Sequence, residues 1–129
     1  LCKTLIGLGD FLAALELCAH PVLAEVRWGL TIEVETEAFN RGDYKIAATA
    51  GIAAVAQKAD PALAYNVACA FARDSKLGEA LVWTERAIDT GFDQEETLRN
   101  DPDLEAIRSL PEFAVLLKKF EARVEARTK

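Results

Sequence analysis

The sequence predicts an all-α domain of paired, repeating helices, and three observations carry that expectation. Helix formers dominate: Ala, Leu, Glu, Lys and Arg recur throughout, while the 129 residues include only 7 Gly and 4 Pro to interrupt them. A turn signature repeats, because 33 positions separate Gly9-Asp10-Phe11 from Gly42-Asp43-Tyr44, and another 33 lead to Ser75-Lys76-Leu77. Each triplet opens an apolar stretch with a small residue three positions beyond the large one, at Ala14, Ala47 and Ala80. At 51% hydrophobic content, a chain of this length can bury a core as one domain.

Taken in order, the punctuation places helices near 10–19, 22–40, 43–58, 61–74, 77–90, 94–99, 102–108 and 111–127. Gly9 and Gly42 supply the tight turns before the first and third of these. His20 precedes Pro21 as a turn residue, and Asp60 caps a helix whose first residue is Pro61, where a missing N–H costs nothing. Val67, Phe71, Leu77, Leu81 and Ile88 recur at spacings of three, four and seven, and Ala68, Ala80 and Ala87 let helix axes approach closely. Gly91 ends one helix; Asp93 with Glu96 starts the next as a capping-box variant. Asp101 caps Pro102, and the last helix, after Pro111, alternates Phe120 and Val124 with Lys118, Lys119, Glu121, Arg123 and Glu125 to leave one solvated face. The organisation expected is one domain, 1–129, divided into a partial repeat (1–21), a repeat (22–59), a second repeat (60–92) and C-terminal capping helices (93–129).

The run Tyr65-Asn66-Val67-Ala68-Cys69-Ala70-Phe71, through Ala80-Leu81 to Ala87-Ile88, resembles a tetratricopeptide repeat, a family that places small residues where Ala68, Ala80 and Ala87 stand. The preceding unit agrees through Gly42, Asp43, Tyr44, Ala47 and Ala54, but carries Glu35 where a small residue is expected. The opening segment shows only a turn and a second helix, Gly9 to Leu15. Asp101-Pro102-Asp103-Leu104, Ile107-Arg108 and Pro111-Glu112-Phe113 are similar to the segment that closes such arrays in many bacterial proteins. The resemblance implies a right-handed α-α superhelix of antiparallel helix pairs with a helical cap.

Composition narrows the function classes. A formal charge of −6 opposes the phosphate backbone, so nucleic acid is not an expected partner. No apolar run approaches the roughly 20 residues of a membrane span, and Leu5–Leu8 is cut off by Asp10 before it could serve as a secretory signal. The chain begins at Leu1 and contains no Met, as an excised part of a longer protein would. Cys2, Cys18 and Cys69 are an odd count for a disulfide framework, which favours a reducing, cytoplasmic setting and leaves the periplasm open.

Residues capable of chemistry do not form a catalytic pattern, and no catalytic centre, metal or cofactor is expected. His20 could serve as a base only if the fold brought it to Cys18 or Cys69, and a zinc site from Cys2, Cys18, His20 and Cys69 lacks close ligand pairs beyond Cys18 and His20. Of the alternating Glu33, Glu35 and Glu37, only Glu33 and Glu37 share a helix face, which reads as a solvated or groove-side acidic strip. Asp93, Glu95 and Glu96 suit a helix N-terminus, and no glycine-rich phosphate loop occurs. Trp83 reads as core, whereas Trp28 reads equally well as core or as a partner anchor.

The function expected is a non-catalytic interaction module or scaffold for a peptide or partner helix. By resemblance the first helix of each pair lines a concave face. That face takes Ile32, Glu33, Thr36 and Asn40 from the earlier unit and Tyr65, Asn66, Cys69 and Arg73 from the later one. Asn66 stands where family members often hydrogen-bond a ligand backbone, but no lysines that clamp a terminal carboxylate occupy these inner positions. The alternative is a regulatory or self-association segment of a larger enzyme, with a homodimer through the N-terminal helices.

Overall fold

The computed structural model describes residues 2–21 and 24–128, and every regular element among them is helical. The elements are α1 (Cys2–Gly7), α2 (Phe11–Cys18), α3 (Arg27–Asn40), α4 (Tyr44–Gln57), α5 (Pro61–Arg73), α6 (Leu77–Thr90), α7 (Glu95–Asn100), a 3-10 turn (Pro102–Leu104), α8 (Glu105–Arg108) and α9 (Pro111–Thr128). They divide into two compact units, Leu1–Ala59 and Asp60–Lys129.

The 33-residue period is a period of backbone geometry. Gly9, Gly42 and Ser75 all adopt left-handed φ angles, of 80°, 81° and 61°. After each helix two amides fold back in the same pattern. Gly9 N–H donates to Ile6 and Asp10 N–H to Leu5; Gly42 and Asp43 repeat this with Phe39 and Ala38, and Ser75 and Lys76 with Ala72 and Phe71. These paired bonds satisfy carbonyls that a helix end otherwise leaves without donors. The following residue then caps the next helix: Asp10 accepts from Ala13 N–H at 3.3 Å and Asp43 from Ile46 N–H at 3.4 Å. Lys76 holds the same backbone position without a side-chain cap.

Ser75 therefore occupies a conformation that costs a side-chain-bearing residue about 1 kcal/mol, whereas Gly adopts it without a steric penalty. Ser75→Gly is expected to raise the stability of the second unit by about 0.5–1 kcal/mol, read as a shift in the urea midpoint at unchanged slope. An unchanged or lower midpoint would contradict the strain assigned to this turn.

Within the first unit α3 and α4 pair through a small-residue surface. Ala47, Ala48, Ala50, Gly51 and Ala54 of α4 are buried, so the two axes can lie close enough for Val34 and Ala38 of α3 to be buried as well. The helix expected over 22–40 begins only at Arg27, after a turn at 24–26; Val22 and Leu23 lie outside the described residues. The late start frees the Arg27 side chain for another task. Its Nε donates to the Cys18 carbonyl at 2.8 Å and its Nη2 to Ala19 and His20 at 3.3 Å, closing the C-terminus of α2.

In the second unit α5 and α6 form the corresponding pair, and the C-terminal helices cover them. Val67, Ala68 and Ala70 of α5 share a dry interior with Ala80, Thr84, Ala87 and Ile88 of α6, completed by Leu98, Leu104, Ile107, Phe113 and Phe120. The Thr84 hydroxyl is satisfied by its own helix, donating to the Ala80 carbonyl at 2.8 Å. Trp83 is buried, as expected of a core residue, with the Arg86 guanidinium 4.5 Å above its ring. Charges fasten the solvated face of α9: Lys119 and Arg123 both reach Asp89 at 2.8 Å, and Arg99 of α7 pairs with Glu121. The helix expected over 102–108 is split into the 3-10 turn and α8, because Asp101 caps the turn directly through Asp103 N–H at 2.9 Å.

Candidate interaction site

The α3 face keeps the residues expected on it accessible. Glu33, Thr36 and Asn40 are exposed and Ile32 is half-buried, at spacings that bring them to one side of the helix. Lys3 of α1 approaches Glu33 at 3.7 Å, and Glu37 pairs with Arg41 at 3.5 Å. Between these, Glu35 turns inward and is 3% exposed. Burial pushes its carboxyl above the ordinary glutamate range, partly offset by the Thr36 hydroxyl, which donates to Glu35 Oε2 at 3.3 Å.

The sign of that shift fixes a pH dependence. A carboxyl whose folded pKa is raised holds a proton in the native state that the unfolded chain has already released. Its stabilising contribution is therefore present below the ordinary glutamate pKa and is lost as pH rises through the elevated folded value. Glu35→Gln, which removes the charge and keeps the shape, is expected to stabilise the chain at pH 7 by about 1–2 kcal/mol and to flatten the loss of stability between acid and neutral pH. Denaturant melts at several pH values check it: a wild type more stable at pH 7 than at pH 5, with the variant unchanged, would refute the buried-charge reading.

The corresponding face of α5 is arranged differently, and it corrects the expectation of an open surface there. Tyr65 and Cys69 are only 7% and 4% exposed. The segment after α6 covers them: Phe92 stacks on Tyr65 with centroids 4.5 Å apart and planes 9° from parallel, and the Tyr65 hydroxyl donates to Asp101 Oδ2. Burial, then the neighbouring Cys69 and Asp101, holds the Tyr65 phenol far above its usual range, so it remains a donor. Asn66 is half-buried, and Arg73 reaches Asp103 at 3.5 Å while staying 46% exposed. Of the four α5 residues, Asn66 and Arg73 keep surface available to a partner.

No family model matches the chain, and no solved structure matches it. A curated relative matches in part. This chloroplastic protein of Arabidopsis thaliana is 37% identical over 57 residues, which cover 44% of the present chain and 17% of the relative. The matched stretch thus spans about a sixth of that protein's length.

The chemistry-bearing groups settle into structural roles. Asp101 gathers polar partners from across the second unit. Its carboxylate accepts from Tyr65 and from Asp103 N–H, its carbonyl accepts from Arg108 Nη2, and Asp103 beside it meets Arg73. Burial, with the Asp101 charge adding to it, raises the Asp103 carboxyl against the lowering effect of Arg73. Cys69, Asp101 and Asp103 bring ligand atoms within 4.8 Å of one another, the one such trio among the described residues. A phenol, a backbone amide and an arginine already compensate those carboxylates, so the trio is better equipped to hold the closing segment than to take up a cation. Cys18 is buried against Cys2, and His20 is exposed. Trp28 is half-buried, its ring 4.8 Å from the Lys58 ammonium and its Nε1 buried without a partner. Periodicity carries no sign of the Asp101 network, since residues 36 positions apart share no repeat; the short Asp-Pro-Asp run is its visible trace.

Proposed function

We propose that the chain is a tetratricopeptide-like interaction module, an α-α superhelix that binds an extended peptide or a partner helix through the exposed side of α3. The observation that carries this reading is the thrice-repeated left-handed turn at 33-residue spacing, which joins each helix pair in the same way. Ile32 offers apolar contact, and Glu33, Thr36 and Asn40 offer hydrogen bonds along one side of α3. The acidic balance of the chain favours a basic or mixed ligand. We place this module in a reducing, cytoplasmic setting, and no helix among the described residues is long and apolar enough to cross a membrane.

Peptides selected from a displayed random library against the full chain test it. Glu33→Arg combined with Asn40→Ala is expected to weaken the selected peptides at least about 10-fold, while Lys118→Glu on α9 leaves them unaffected. Equal binding by wild type and the α3 variant would defeat the assignment.

A second reading has its own support. The match covers only 17% of the chloroplastic relative, and Leu8 and Leu12 are 75% and 60% exposed at the first turn. Both suit a segment of a larger protein, or a regulatory part of a larger enzyme, that packs or self-associates through its N-terminal helices. Sedimentation separates the readings: a dimer abolished by Leu12→Asp supports assembly, and a monomer at all concentrations supports peptide binding.

A further inference from the structure

We propose that Cys2 and Cys18 form a reversible intramolecular disulfide that fastens α1 to α2, made by exchange with a low-molecular-weight disulfide of the oxidised-glutathione type. Their sulfur atoms lie 3.0 Å apart and both side chains are buried. A disulfide needs a sulfur separation of roughly 2 Å, so bond formation calls for an approach of about 1 Å. The turn at Gly9 and Asp10 brings the two helices side by side, and Phe11 and Ala14 of α2 are buried as well. The Cys2 thiol also approaches the Ala14 carbonyl, at 3.7 Å. Cys69, by contrast, sits in the Tyr65 network of the second unit.

The chemistry is a double thiol exchange. One cysteine, having given its proton to solvent, attacks a sulfur of oxidised glutathione, forming a mixed disulfide and releasing one glutathione thiolate. The second cysteine, also deprotonated, attacks the protein sulfur of that mixed disulfide, forming the Cys2–Cys18 bond and releasing the second thiolate; both thiolates then take up protons. Two protein thiols are oxidised and one external disulfide is reduced. Burial first, then the bond to Cys2, pushes the Cys18 thiol up to about 12, so in the closed state it stays protonated at neutral pH. Exchange therefore proceeds through opening of α1, and a helix of six residues is short enough to open readily. Once formed, the bond closes a span of 16 residues and removes that opening. Because α1 carries Lys3 beside Glu33, oxidation also fixes the element that borders the exposed side of α3.

Incubating the full chain with oxidised glutathione, quenching in acid and mapping peptides by mass tests the proposal. The expected product lacks two hydrogens, joins the Cys2 and Cys18 peptides, reverts with dithiothreitol and forms faster as pH rises. Hydrogen exchange of the α1 amides is expected to slow roughly 100-fold on oxidation, the change that closing a loop of this length corresponds to. Cys69→Ser should form the same product, while Cys2→Ala, which leaves the longer helices intact by circular dichroism, should form none. Stable mixed disulfides with glutathione, a link to Cys69, or an unlinked product after α1 has demonstrably opened would each overturn the proposal.

Discussion

Phe113→Ala is expected to destabilise the second unit by about 3–5 kcal/mol. The ring at the start of α9 is fully buried, and it shares the interior with Ile107, Leu104 and Phe120, all 1% exposed or less. Truncation removes the transfer free energy of a whole aromatic ring and leaves a cavity that α9 cannot collapse into. Its position is fixed from outside, by Lys119 and Arg123 on Asp89 and by Arg99 on Glu121. Those surface pairs cannot offset the loss, since water and salt screen exposed ion pairs. Denaturant unfolding followed by Trp83 fluorescence, with Trp28→Phe as the common background, measures it. A loss below about 1 kcal/mol would mean that α9 is not part of the cooperative core. A comparison with Val115→Ala, at a position 66% exposed on the same helix, isolates burial from helix propensity, and that change is expected to stay within about 0.5 kcal/mol.

Asp101→Ala is the second large effect, about 2–4 kcal/mol, by a different mechanism. One side chain serves both as the cap of the 3-10 turn and as the acceptor for Tyr65. Its loss leaves a buried hydroxyl without an acceptor and the turn without its cap, and a buried donor left unmade costs more than the bond itself contributed. Tyr65→Phe in the same background resolves the two parts: removing the donor together with the acceptor is expected to restore about 1 kcal/mol. If the double variant is no more stable than Asp101→Ala, the Tyr65 bond does not contribute as described. Asp101→Asn, which keeps an acceptor oxygen for either the cap or the phenol, is expected to fall between wild type and Ala.

Much of this fold is legible because its information is local and periodic. The capped turns announce themselves through Gly9, Gly42, Asp10, Asp43 and Asp60, and α4, α5 and α6 begin and end within one residue of where those signals put them. Ser75 is legible only as the third member of a series, because alone it carries no signal for a left-handed backbone. The short α1 has no such punctuation before it, and nothing local marks its start. Burial is the harder inference. Helical spacing sets Tyr65, Asn66, Cys69 and Arg73 on one side of α5, and that much needs only the sequence. Which of them stays open depends on Phe92, Asp101 and Asp103 folding back from up to 36 positions away, and no period connects those residues. The pairing of Cys2 with Cys18 is hidden for the same reason, across 16 positions and a turn. Glu35, by contrast, stands out as an anomaly, a long acidic side chain at a place for a small one, and its burial gives that anomaly a physical cost.

The cover over α5 makes the segment from Phe92 onward a stopper. A chain cut after Gly91 would leave Cys69 and the tyrosine ring at a wet, sticky flank with a phenol seeking an acceptor, and such a flank invites another polypeptide to dock or a protease to enter. By plugging that flank with its own polypeptide, the second unit keeps the greasy side of α5 out of circulation.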